Sequence, residues 1–80
     1  MDHRRILKEI KDIKDLGKFI EETRKAHHLT QEQLAARVGV SRRFIYQLEN
    51  GSRESFHLGK VLLLLRRINL ELIISHRKPE

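Results

Sequence analysis

Eighty residues leave room for one small domain and no second core. Hydrophobic residues make up 39% and charged residues 35%, enough for a thin core, and 17 Lys+Arg against 11 Asp+Glu give a net charge of +6, which favours a polyanionic partner: nucleic acid or an anionic surface. The absence of cysteine excludes disulfides and thiolate metal sites and fits a cytoplasmic setting, and the longest apolar run, Val61–Leu65, is far short of the ~20 residues that a membrane span needs.

Residues 1–15 form an N-terminal amphipathic helix or arm. Ile6, Leu7, Ile10 and Ile13 recur at helical spacing over residues 2–14, with Asp2 placed to cap. Such a segment either covers part of a neighbouring element or docks a partner. Arg4 and Arg5 have no apolar block behind them, so the pattern is not that of a signal peptide.

Asp15 can cap a second helix, with Leu16, Phe19, Ile20, Thr23 and Ala26 on one face and Lys25, His27 and His28 near its C-terminal end. Thr30 followed three residues later by Gln33 is a capping-box pattern, so a third helix starts at Gln31, with Leu34, Ala35 and Val38 inward and Gly39 at its end. Ser41 caps a fourth helix from Arg42 to Glu49, with Ile45 and Leu48 inward and Asn50-Gly51 as the stop. Two short helices joined through Gly39 have helix-turn-helix spacing.

A polar loop leads to a fifth helix with Leu58, Val61, Leu62, Leu65 and Ile68 inward. The period then changes. Leu70, Leu72 and Ile74 alternate with Asn69, Glu71 and Ser75, as in a strand. A lone strand leaves backbone groups unpaired, so its simplest partner is the same strand of a second copy, antiparallel across a two-fold axis. Leu63, Leu64, Leu70, Leu72, Ile73 and Ile74 then form a dimer interface. The other reading continues the helix to Ser75, with dimerisation by helix packing.

From Leu29 to Gly51 the chain reads LTQEQLAARVGVSRRFIYQLENG. The Thr-Gln opening, Leu34-Ala35, Val38-Gly39, Val40-Ser41, Ile45 and Leu48-Glu49-Asn50-Gly51 together closely resemble the Cro/phage-repressor (XRE) type of helix-turn-helix. The resemblance covers residues 16–68 and implies an all-α, five-helix, lambda-repressor-like DNA-binding domain. Residues 69–80, as a dimerisation strand and tail, resemble the HipB-type antitoxin branch.

An α-helix fits the major groove, where Arg can hold guanine O6 and N7 and Gln can hold adenine N6 and N7 through paired hydrogen bonds. The resemblance assigns base contacts to Arg42, Arg43 and Gln47. Tyr46, at a more variable position, is expected on phosphate or a thymine methyl. Gln31, Arg37, Ser41, Asn50 and Arg53 are expected on phosphates, fixing register rather than sequence choice. Arg24 and Glu49 match a structural salt bridge of the family. His28 stands where such domains usually carry Gly, and Phe44 where a small polar residue is common.

No arrangement of the five histidines has metal-ligand spacing, and nothing in the sequence supports a nucleophile, a cofactor or an enzyme. The expected function is a homodimeric repressor on an inverted-repeat, double-stranded DNA operator. It would autoregulate its operon as a HipB-like antitoxin that also holds a HipA-like kinase toxin. The alternatives are a plain phage-type regulator without a toxin and a protein-interaction module that has lost DNA binding.

Overall fold

The computed structural model describes residues 7–54 and 56–76. Among these it contains four helices: α1 (Ile13–Ala26), α2 (Gln31–Val38), α3 (Arg42–Glu49) and α4 (Leu58–Arg67). α3 packs against both α1 and α2, and α2 also packs against α4. Ile20, Leu34, Ile45, Val61, Leu64 and Ile68 fill the centre of the resulting core.

The expected N-terminal helix is absent over residues 7–12. Its first part and the Asp2 cap fall on residues 1–6, outside the described residues. The cap of α1 is Asp12 rather than Asp15: the Asp12 carboxylate accepts the Asp15 N–H at 2.8 Å, while the Asp15 carboxylate accepts the Lys11 N–H at 3.1 Å. Two acidic residues three apart thus satisfy amides on both sides of the helix start, and Ile13 becomes helical. α2 and α3 begin at their expected caps. Thr30 and Gln33 form a reciprocal capping box, and Ser41 Oγ accepts the Phe44 N–H at 3.0 Å.

All four helices end in a residue with positive φ: His28 (58°), Gly39 (83°), Gly51 (71°) and Asn69 (61°). After each, an amide turns back to a carbonyl five residues earlier: Leu29 to Arg24, Val40 to Ala35, Ser52 to Gln47 and Leu70 to Leu65. This left-handed turn satisfies the orphan carbonyls of a helix end and reverses the chain. His28 adopts it without the conformational freedom of Gly.

Gly17 is needed for another reason. A Cβ there would run into the Leu48 carbonyl and would lie 2.8 Å from the Glu49 carbonyl oxygen. α1 therefore crosses the end of α3 in near backbone contact.

Two expectations fail at the C-terminal end. α4 buries Val61, Leu64, Leu65 and Ile68, and leaves Leu58 and Leu62 exposed. A helix this rich in leucine carries two overlapping stripes at i, i+3, i+4 spacing, and packing against α2 selects the later one. Leu64 is therefore fully buried in its own chain, not in a dimer interface, while Leu63 is 39% exposed. The expected strand is also absent. Residues 70–76 have no regular structure, because the left-handed turn at Asn69 ends α4 and no strand among the described residues offers a ladder. Leu70 folds back, half-buried, onto the core, and Leu72, Ile73 and Ile74 face outward.

Candidate nucleic-acid interface

α3 supplies the central surface. Ser41 starts it with a side-chain cap, and Ile45 and Leu48 anchor its inner face. Arg42, Arg43, Tyr46 and Asn50 then lie outward along one stripe, at the three- and four-residue separations that share a helix face. Asn50 Nδ2 donates to the Tyr46 carbonyl at 2.8 Å, which ties the far end of the stripe to the helix. Arg37, Ser41 and Arg53 are also exposed. Arginine at four positions, Arg37, Arg42, Arg43 and Arg53, on and around a short helix makes the surface electropositive, with rigid forks suited to base edges or phosphate.

Gln47 is placed differently from its expected role. It is buried, 9% exposed, and its Nε2 donates to Glu54 Oε2 at 3.4 Å. Its Oε1 is buried with no partner among the described residues. Although Gln47 lies four residues after Arg43, its amide is turned toward the loop after α3, where Glu54 accepts from it.

A polar node fixes the geometry behind this surface. Arg24 Nε donates to Glu49 Oε2 at 2.6 Å and Arg24 Nη2 to Glu49 Oε1 at 3.0 Å, a paired arrangement buried on both sides. Arg24 Nη1 donates to the Leu29 carbonyl at 2.7 Å, and Gln31 Nε2 donates to Glu49 Oε1 at 3.0 Å. One carboxylate thus joins α1, α2 and α3. The hydrogen bond to Glu49 raises the Arg24 pKa above its ordinary value, against an opposing desolvation effect and with help from the Glu49 charge. The guanidinium keeps its proton throughout the physiological range, and its stabilising share is lost only as pH rises through that elevated value. Sequence reasoning paired Arg24 with Glu49 but missed the Gln31 link, for which local spacing carries no signal.

Gln31 is half-buried at the first position of α2. The first amides of a helix lack intrahelical acceptors, so this end presents N–H groups and positive dipole near the C-terminal end of α3, where Gln31 meets Glu49. Lys60 of α4 reaches back over the Phe44 ring, its Nζ 5.6 Å from the centroid. Phe44 is buried and packs into the body. Among the described residues no group of three His or acidic side chains could hold a metal ion, and no helix is long and apolar enough to cross a membrane.

The Helix-turn-helix family model HTH_3 matches residues 20–73, more than half of the chain. The chain belongs to this helix-turn-helix family. It is 37% identical over 67 residues to an uncharacterized HTH-type transcriptional regulator, y4mF, of Sinorhizobium fredii, covering 84% of this chain and 87% of that one. The restriction-modification controller protein C.AhdI from Aeromonas hydrophila superposes with a TM-score of 0.67 at 32% identity, covering 75% of this chain and 86% of the other. A chain of the HipA-HipB-O2-O3 complex superposes with a TM-score of 0.77 at 21% identity, covering 90% of this chain and all of the other, a likeness of fold. The protein is an XRE-type, DNA-binding helix-turn-helix transcriptional regulator, in a family that is typically non-enzymatic.

Proposed function

We propose that this regulator is a sequence-specific repressor that binds an inverted-repeat operator as a homodimer in the cytoplasm and represses its own operon. The observation that carries this reading is the outward stripe of Arg42, Arg43, Tyr46 and Asn50 on a helix stapled from behind by the buried Arg24–Glu49–Gln31 node. Arg42 and Arg43 read bases from the major groove. Gln31, Arg37, Ser41, Asn50 and Arg53 hold the phosphates on either side. Dimerisation uses the exposed Leu62, Leu63, Leu72, Ile73 and Ile74, the apolar side chains that α4 and the residues after it leave uncovered. Two-fold pairing through this surface sets the recognition helices about one helical turn apart, ~34 Å.

The fold likeness to a chain of the HipA-HipB-O2-O3 complex supports an antitoxin role, in which the dimer also holds a HipA-like kinase toxin. The higher identity to C.AhdI supports a second reading, a regulator without a toxin. Co-purification with the product of an adjacent kinase-like reading frame separates the two.

The DNA-binding reading is tested by selecting duplexes from a random pool and comparing variants. Arg42→Ala and Arg43→Ala should each flatten preference at one base pair per half-site, by about 1–3 kcal/mol. Arg37→Ala should weaken all duplexes alike and reduce the salt slope by about one. Unchanged preference in both α3 variants overturns the assignment of the recognition surface.

A further inference from the structure

We infer that Tyr46, and not Gln47, completes the base-reading set of α3, and that it reads a thymine methyl. The inference rests on the proposed role of α3 and deepens it by naming the third recognition residue and its base.

Reading adenine with glutamine uses both ends of the amide, one as donor and one as acceptor. Here both ends are withdrawn. Oε1 is buried, and Nε2 is directed to Glu54. At 3.4 Å that hydrogen bond is long, so burial rather than the bond is what withholds the side chain. The cause lies in the neighbouring sequence. Phe44, one turn before Gln47, is bulky and buried, and Lys60 lies over its ring. Phe44, Leu48, Ser52, Glu54 and Phe56 line one small cleft, so the loop after α3 closes over this flank of the helix. To reach a base edge, the Gln47 amide would have to leave that cover.

Tyr46 meets no such obstacle. It is 55% exposed, four residues after Arg42 and three after Arg43, on the same stripe. Its backbone carbonyl accepts the Asn50 amide N–H at 3.1 Å and Asn50 Nδ2 at 2.8 Å, which fixes the point from which the ring projects. A phenol ring between two arginine forks offers an apolar edge at groove level. The apolar feature of the major groove is the thymine C5 methyl, whereas phosphate would engage only the hydroxyl. The flat, rigid ring therefore matches a T·A pair beside the pairs held by Arg42 and Arg43.

The test uses the full chain and its selected duplex, with deoxyuridine replacing each thymine in turn to delete one methyl. One thymine per half-site should show a loss of roughly fourfold on replacement, the value of one buried methyl-sized group. Tyr46→Ala should abolish that methyl effect and flatten preference at the same pair. Tyr46→Phe, an exposed and structurally mild change, should keep it. Gln47→Ala should leave the preference profile unchanged at every position. Loss of preference at one pair in Gln47→Ala, or a methyl effect that survives Tyr46→Ala, overturns the inference while leaving the role of α3 intact. A methyl effect lost in Tyr46→Phe also overturns it, because the hydroxyl would then be the reader. Failure of Arg42→Ala and Arg43→Ala to alter any position would instead overturn the role of α3, and this inference with it.

Discussion

α3 and α4 are both short amphipathic helices with well-packed inner faces, yet they turn opposite chemistry outward. α3 shows arginine, tyrosine and asparagine; α4 and the residues after it show leucine and isoleucine beside Lys60, Arg66 and Arg67, with Ile74 91% exposed. Inner faces look alike because every core obeys the same packing rules. Outer faces differ because each answers to what it meets, and in this protein one is suited to a polyanion and the other to an apolar surface.

The strongest test of this contrast attacks the support of the first face. Glu49→Ala removes the acceptor of Arg24 and Gln31 and leaves a guanidinium buried without its partner. It should cost about 3–5 kcal/mol of stability, lowering Tm by well over ~10 °C, with little change in the base preference of the protein that remains folded. A thermal melt near that of the parent chain would show that the node does not hold α3 in place.

Next, adjacent leucines of α4 can be set against each other. Leu64→Ala empties a fully buried site and should cost about 2–5 kcal/mol. Leu63→Glu should leave intrachain packing nearly intact and shift the proposed dimer to monomer in sedimentation. Equal losses of folding stability in the two variants would erase the distinction between the inner and outer faces of α4.

The smallest effect is a gain. His28 holds a left-handed conformation that glycine adopts without strain, and it is exposed. His28→Gly should raise stability by up to about 1 kcal/mol, relieved strain being partly offset by the greater freedom of unfolded glycine, and urea denaturation would measure it. A loss of stability would mean that the His27–His28 turn is held by more than its backbone.

The α2–α3 unit was readable because its signals are local. Thr30 with Gln33, Ser41, and Gly39 each act within four residues, so the boundaries of both helices follow from spacing alone. The start of α1 was misplaced because Asp12 and Asp15 are both competent caps, and only the first also leaves Ile13 helical. The inner face of α4 was misread because Leu62 and Leu64 compete on equal terms until α2 is present to choose. Gln47 was assigned outward because a helical projection cannot show a loop folding over one flank. Gly17 gave no cue at all, since its role is to let the Leu48 and Glu49 carbonyls approach from a distant part of the chain. The expected strand needed a ladder that the described residues of one chain do not contain.

Because Gln31 is tied to the buried Glu49 carboxylate at the end of α3, the gap between the start of α2 and the reading helix is set by covalent lengths and one hydrogen bond of 3.0 Å, while Arg24 holds the same carboxylate from α1. Neither part can advance without dragging the other. A duplex that meets both must conform to a fixed caliper, so its own stiffness and groove width enter the selection before any base edge is touched.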